Sequence, residues 1–237
     1  MKLTVLILSI FDFFNNKKIL NFFKSKFIGI ETIVDVGGNR GETFDLFDKN
    51  FKVENYYAFE ASPINFKYLE KKKLRSNKKN FKIINKAVGD NLEETNFYQL
   101  SDASSSTLNE INKDSNYYKK KSLLIDFFTF GEPKTIQFKL KPILLSDFIN
   151  SNSIKKIDIL KTDTEGYEFR VIKGLGDKIK IIDYIYFEHH YDDMIKKGYT
   201  FSMIHNYLEQ NGFKKVFKLK MSFRKAFEYI YQNINLD

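Results

Sequence analysis

The sequence contains no cysteine, only three prolines and eleven glycines, and few arginines. Without cysteine the chain can form no disulfide framework, thiolate metal site or cysteine nucleophile, and its composition suits a reducing cytoplasm, which is the expected location. The scarcity of proline and glycine excludes collagen-like and linker-dominated chains. The chain of 237 residues is 43% hydrophobic and 29% charged, and this length is enough for one α/β domain with a full core.

Arginine contributes only four of the 39 basic residues, although the formal net charge is +9. Arginine recognises bases and phosphates through paired hydrogen bonds, so its scarcity argues against a nucleic-acid partner. A basic nucleic-acid-binding module without catalysis remains the non-enzymatic alternative, and a steep loss of affinity with salt would identify it.

No apolar run is long enough to cross a membrane. Residues 3–14 are apolar except for Ser9 and Asp12, which is shorter than the roughly 20 residues that a span requires, and no small-residue cleavage site follows. The apolar pattern resumes at Ile19 and alternates with lysines. We therefore expect residues 1–30 to form an amphipathic helical segment covering a main domain of residues 31–237. Peripheral contact with an anionic membrane is the alternative.

Short apolar runs alternate with helical patterns from residue 31 onward, which predicts βα units and a mainly parallel sheet. The predicted strands are residues 32–36, 56–60, 81–88, 157–162 and 183–188, and the predicted helices are residues 41–50, 63–75, 166–175 and 201–211. Residues 92–150 are predicted to form an insertion that contains an extra strand and a mobile loop. Alternation near the end predicts an antiparallel strand pair that closes the sheet.

The first predicted strand runs into a glycine-rich turn in which Asp35, Gly37 and Gly41 give the spacing D-x-G-x-x-x-G. This is not the G-x-G-x-x-G fingerprint, so the spacing disfavours a nicotinamide-dependent Rossmann oxidoreductase, which remains the rival enzyme class. An acidic residue before the first glycine suits a ligand with a positive centre, such as adenosylmethionine. A side chain at Gly37 should intrude on such a ligand. Glu60 ends the next strand, where it can accept hydrogen bonds from both ribose hydroxyls.

Four segments, in this order along the chain, resemble the FkbM-type adenosylmethionine-dependent methyltransferases. They are VDVGGNRG at residues 34–41, YAFEASP at 57–63, AVGD at 87–90, and IDILKTDTEGYE at 157–168. The last is the most specific, since it is similar to the family's K-x-D-x-E-G-x-E signature. Gly38 and Ala61 depart from the family's more usual alanine and proline, and neither change should alter binding.

The resemblance implies a Rossmann-like class I methyltransferase fold of the α/β class, with S-adenosyl-L-methionine as cofactor. It implies that Asp35, Gly37, Asn39 and Gly41 surround the methionine part, that Glu60 binds the ribose, and that Ala87 and Val88 adjoin the adenine. Because the family is commonly associated with O-methylation of sugar or polyketide hydroxyls, it also implies a hydroxyl acceptor on a small molecule or glycan precursor.

Acidic and histidine residues follow the fourth and fifth predicted strands at the edge where the methyl group would lie. A hydroxyl must lose its proton during methylation, so a general base or a metal is expected. The predicted catalytic set is Asp163, Glu165, Glu188 and His189, without a metal; a divalent ion held by Asp163, Glu188 and a histidine is the alternative. Neighbouring residues of a strand face opposite sides, so only one of His189 and His190 should face the site. Asp163 and Glu165 could instead cap the following helix.

Overall fold

The computed structural model describes residues 2–76, 78–100, 106–119, 135–222 and 224–236. The strands are β1 (Gly29–Val36), β2 (Lys52–Phe59), β3 (Phe81–Ile84), β4 (Val88–Gly89), β5 (Thr95–Leu100), β6 (Ser106–Thr107), β7 (Thr135–Leu140), β8 (Ile143–Leu144), β9 (Ile157–Thr162), β10 (Ile182–His190), β11 (Phe213–Lys220) and β12 (Ala226–Asn233). The helices used below are α1 (Lys2–Lys24), α2 (Glu42–Asp48), α3 (Pro63–Ser76), α4 (Leu145–Ser151), α5 (Glu168–Lys173) and α6 (Phe201–Gln210), with a 3₁₀ helix at Gly176–Ile181.

A seven-stranded sheet in the order β11-β12-β10-β9-β1-β2-β3 forms the centre of the molecule. Strands β3, β2, β1, β9 and β10 are parallel, whereas β12 pairs antiparallel with both β10 and β11. The mainly parallel sheet and its antiparallel C-terminal pair are therefore confirmed, and this is the class I methyltransferase fold. Five parallel strands bring their carboxyl ends to one edge, which is where ligands bind in such sheets.

Both faces of the sheet are covered, because alternate residues of each central strand point to opposite sides. Val34, Leu160 and Ile185 pack on one face with side chains of α4, α5 and α6. Ile33 and Ile159 pack on the other face with side chains of α1, α2 and α3. The continuous apolar character of these strands follows from burial on both sides.

Helix α1 lies on the second of these faces, where Ile19 and Phe23 are fully buried. The Phe23 ring makes edge contacts with Phe47 of α2 and Tyr184 of β10. The segment before β1 thus packs on the sheet through aromatic contacts. Within the part of the chain that the structure describes, none of the helices has both the length and the apolar character that crossing a membrane requires.

The third predicted strand and the insertion differ from expectation. The strand predicted at residues 81–88 ends at Ile84, because Val88 and Gly89 leave the central sheet and pair with β8. In its described residues the insertion forms an antiparallel sheet in the order β6-β5-β7 and the short strand β8, and of these only β7 was predicted. A mobile loop was expected at the polar tract of residues 101–107; residues 101–105 lie outside the described residues, and Ser106 and Thr107 form β6.

Candidate active site

Two cavities open at the carboxyl edge of the parallel strands, and Gly37 and Asp163 line both of them. The first cavity, of about 50 Å³, lies between β1, β2 and the β4 region. The second, of about 310 Å³, lies beside α1 and α2 and is lined mainly by polar and charged side chains. The two spaces meet where β1 and β9 end side by side.

The turn after β1 passes unusually close to the end of β9. The amides of Gly37 and Gly38 both donate to the Phe59 carbonyl, and the Asp163 amide donates to the Val36 carbonyl, each at 2.9 Å. Gly37 has a φ of 86°, and a Cβ built on it would lie 1.9 Å from the Asp163 carbonyl oxygen. A side chain at this position would therefore meet protein backbone before it met any ligand, which corrects the sequence expectation.

Glu60 follows β2 and lies at the wall of the first cavity, only 4% exposed. Its two carboxylate oxygens accept hydrogen bonds from the amides of Asn39 and Ser62, both at 2.7 Å. Burial raises the pKa of Glu60 to about 7, against the opposing effect of these two bonds. Because a carboxylate accepts about four hydrogen bonds, each oxygen keeps capacity for a ligand hydroxyl.

The remainder of the first cavity is largely apolar. Ala87, Val88, Phe97 and Leu108 contribute to its lining. A buried carboxylate at one wall and an apolar slot beside it match a ribose with a planar base attached. The kinds of residue present thus fit the chemistry of the nucleoside part of adenosylmethionine, and Ala87 and Val88 are among the apolar ones.

Asp35 and Gly41 do not occupy the places expected of them. Asp35 is 1% exposed, accepts a hydrogen bond from the Tyr56 hydroxyl at 2.7 Å, and lies 3.9 Å from Lys161 Nζ. Gly41 packs on α3, where Lys72 Nζ donates to its carbonyl at 2.9 Å. Neither residue is among those that line the first or the second cavity.

Buried Lys161 and half-buried Asp163 form an ion pair at the junction of the two cavities. Lys161 Nζ lies 3.1 Å from Asp163 Oδ2, and the lysine also counters Asp35. Although burial opposes ionisation, the charge and hydrogen bond of Lys161 hold the pKa of Asp163 below its usual value. Asp163 is therefore an ionised acceptor, with little tendency to take up a proton.

Glu168 organises the loop after β9, a role that the sequence pattern did not predict. Its Oε1 accepts from the Thr164 amide at 2.9 Å, the Thr164 hydroxyl at 3.2 Å and the Gly166 amide at 3.0 Å, while the Tyr199 hydroxyl donates to Oε2 at 2.7 Å. Helix α5 begins at Glu168 itself. The acid that stabilises this loop is thus Glu168, the last glutamate of the K-x-D-x-E-G-x-E signature, and not Asp163 or Glu165.

His190, and not His189, lies with the acidic residues. His190 Nε2 is 3.2 Å from Glu188 and 3.5 Å from Glu165, and Nδ1 is 3.5 Å from Asp192. Burial opposes its protonation, but the hydrogen bond to Asp192 and the charges of Glu165 and Glu188 prevail and raise its pKa to about 10. At neutral pH His190 is a cation that cannot accept a proton.

His189 points to the opposite face of β10, as alternation requires. Its ring packs among Tyr191, Tyr199 and Phe201 with centroids 4.8–5.7 Å apart. Burial, with the positive charges of Lys197 and His190, lowers the pKa of His189 to about 3. The expected convergence of His189 with Asp163 and Glu188 is therefore wrong, and His189 is an aromatic-cluster residue.

The second cavity contains charged residues that the sequence reasoning missed. Arg224 and Glu228 line it together with Lys161, Asp163 and Glu188. Glu228 lies in β12 among aromatic residues, where nothing in the sequence pattern separates it from a solvent-facing acid. Among the described residues, no group of three or more histidine or acidic side chains is arranged to hold a metal ion.

A family model, the methyltransferase FkbM domain, matches residues 35–215. The chain belongs to the FkbM methyltransferase family. The match covers the turn after β1, Glu60, the K-x-D-x-E-G-x-E signature and the end of β10, so the resemblance stated from the sequence is confirmed. No curated protein matches the chain.

Solved structures agree in fold at low identity. A methyltransferase FkbM from Methylobacillus flagellatus KT is 13% identical with a TM-score of 0.54; the alignment covers 86% of this chain and 43% of that one, so this chain spans less than half of that protein. Magnesium protoporphyrin IX methyltransferase from Synechocystis PCC 6803, with bound SAM, is 7% identical with a TM-score of 0.54, covering 98% and 85% of the two chains. TrmK of M. capricolum, with S-adenosyl-homocysteine, is 9% identical with a TM-score of 0.51, covering 93% and 68%.

Proposed function

We propose that the chain transfers the methyl group of S-adenosylmethionine to a hydroxyl of a sugar or glycan precursor. Membership of the FkbM family supports the methyl transfer. The observation that carries the acceptor class is the second cavity, which meets the first at Gly37 and Asp163 and is lined by carboxylates, a lysine and an arginine. Such a lining offers many hydrogen-bond partners to a polyhydroxylated molecule and little apolar surface to a hydrophobic one.

Cofactor binding is assigned to the first cavity. Glu60 would accept the two ribose hydroxyls, and Ala87 and Val88 would adjoin the adenine. Gly37, with Asn39 beside it on the side of the second cavity, would flank the methionine part. When bound, the cofactor supplies an electrophilic methyl group on a positively charged sulfur. Asp163 is ionised and lines both cavities, so it is placed to attract that charge or to hold the acceptor hydroxyl.

The acceptor side is assigned to the second cavity. Asp163 and Glu188 line it, and His190 links Glu188 to Glu165, which lies outside this lining. The positive charge of His190 partly offsets the negative charges of Glu165 and Glu188 and holds these two side chains close together. Methyl transfer is an in-line displacement, so the main contribution of these side chains is to hold the hydroxyl against the methyl donor.

Calorimetric titration with adenosylmethionine, adenosylhomocysteine and NAD tests the cofactor assignment. We expect the first two to bind and NAD to give no heat. Incubation with radiolabelled adenosylmethionine and simple methyl glycosides tests the acceptor class. Label transfer to catechols but not to glycosides would contradict the hydroxyl-sugar assignment while leaving the cofactor assignment intact.

A further inference from the structure

Two buried glutamates oppose each other across the antiparallel pair of β10 and β12. Glu188 and Glu228 are register partners, each is 6% exposed, and both line the second cavity. Directly opposed residues on one face of an antiparallel pair have Cβ atoms about 4.5–5.5 Å apart, and like charges there are destabilising. Two ionised carboxylates at this spacing, away from water, would repel each other strongly.

The neighbouring cations offset this repulsion only in part, because they are shared with other acids: His190 lies 3.2 Å from Glu188 but also contacts Glu165. Lys161 is already engaged by Asp35 and Asp163. The titratable and charged groups that face the pair or line the same cavity are Glu42 of α2, Lys161 of β9, Asp163 and Glu165 of the following loop, Tyr186 and His190 of β10, and Arg224 before β12. The acids outnumber the cations that could balance them.

The direction of titration agrees with this geometry. Burial, followed by the charges of Asp163 and Glu228, raises the pKa of Glu188 well above its usual value. Burial and the charge of Asp163 raise the pKa of Glu228 to about 7, although Lys161 opposes the change. Two such carboxyls titrate as a pair and not as independent groups.

We propose that Glu188 and Glu228 share one proton at neutral pH and that the ionised oxygen of the pair accepts the proton of the acceptor hydroxyl during methyl transfer. This rests on the proposed function. The proton moves from the hydroxyl to the carboxylate; the oxygen's electron pair forms the bond to the methyl carbon, the carbon–sulfur bond breaks, and its electrons stay on sulfur. The carboxyl then returns the proton to water.

The other candidate bases are less suited to this step. Asp163 has a lowered pKa and is the weaker base, His190 is already protonated, and His189 faces away. A general base works best when its pKa lies near the working pH. Glu228, with a pKa of about 7, meets that condition, and both glutamates lie in the cavity assigned to the acceptor.

The first test needs neither cofactor nor acceptor. Carboxyl-carbon NMR of the full chain, labelled at glutamate, should show the pair titrating in two steps, with the second above pH 7. In Glu228→Gln the resonance of Glu188 should titrate in one step at lower pH, because the opposing charge is gone. Glu54→Gln, at an exposed site on β2 beside Lys52, is the control and should leave the pair unchanged. Complete ionisation of both glutamates below pH 7 would overturn the shared proton.

The second test measures turnover with radiolabelled adenosylmethionine and methyl glucoside, methyl mannoside or methyl rhamnoside. Glu188→Gln combined with Glu228→Gln should lower the rate about 10²–10⁴-fold while adenosylhomocysteine affinity stays within threefold. A double variant that turns over at the unmutated rate would refute the base assignment. The proposed function fails differently, through absence of adenosylmethionine binding or of glycoside methylation in the unmutated protein, with the NMR result unaffected.

Discussion

The carbonyl oxygen of Asp163 occupies the space that a side chain on Gly37 would need. The gap from a Cβ at Gly37 to this oxygen is 1.9 Å, far below any permitted contact. The glycine therefore allows β1 and β9 to end side by side, and this approach places Asp163 at the junction of the two cavities. One backbone contact thus sets the relation between the cofactor side and the acceptor side.

Gly37→Ala should destabilise the fold by more than about 3 kcal/mol or prevent folding, because overpacking against backbone adds to the strain of a positive φ. Gly198→Ala is the matched control, since Gly198 also has a positive φ, of 71°, but nothing lies within 4 Å of its added Cβ. That control should cost about 1–2 kcal/mol. Urea unfolding measures both, and equal losses would show that the contact with Asp163 can relax.

Glu60→Gln should weaken adenosylhomocysteine binding by roughly 2–4 kcal/mol, since it replaces a charged acceptor and turns an amide donor toward the amide of Asn39 or Ser62. Because the pKa of Glu60 is about 7, affinity in the unmutated protein should fall as the pH drops from 8 to 6, as the carboxylate becomes protonated. Calorimetry at both pH values checks this. A variant with unmutated affinity and no pH dependence would remove Glu60 from the ribose site.

The sequence allowed the prediction of the central sheet because burial on both faces leaves continuous apolar strands, and β9 was predicted at its exact bounds. The same reasoning predicted that Asp163 and Glu188 lie at one edge of the sheet, because the carboxyl ends of parallel strands meet there. These inferences need only the chain order of strands and the residues that follow them.

The missed features depend on pairing that no local pattern encodes. Whether His189 or His190 faces the site depends on strand register, because a shift of one residue moves every side chain of the strand to the opposite face. The meeting of Glu228 with Glu188 depends on the register between β10 and β12, two strands that α6 and β11 separate along the chain. Glu168 binds the loop that precedes it, a contact between its side chain and backbone amides that the helical pattern of α5 does not indicate.

The two adjacent histidines should titrate at opposite extremes. Nitrogen-15 NMR should show His190 protonated up to about pH 10 and His189 neutral down to about pH 3, with His189→Gln and His190→Gln assigning the signals. Since the pKa of His190 is raised on folding, its contribution to stability should be complete below pH 6.5 and be lost as the pH rises toward 10. Titration of His190 near pH 6.5 would mean that the surrounding carboxylates do not act on it.

Glu168 should stabilise the Asp163–Gly166 loop through hydrogen bonds more than through charge. Its four bonds engage Thr164, Gly166 and Tyr199, and burial raises its pKa. Glu168→Ala leaves buried donors without acceptors and should cost at least about 3 kcal/mol. Glu168→Gln keeps one oxygen for the loop donors, and its amide can donate to the Tyr199 oxygen, so it should cost less than about 1 kcal/mol.

Urea unfolding gives the stabilities of the Glu168 variants, and calorimetry with adenosylhomocysteine gives their affinity. Affinity should fall in Glu168→Ala and be retained in Glu168→Gln, because Asp163 and Thr164 of this loop line the first cavity. Tyr199→Phe removes only the bond to Oε2 and should leave affinity unchanged. If Glu168→Gln lost as much stability and affinity as Glu168→Ala, the negative charge of Glu168, and not its hydrogen bonds, would hold the loop in place.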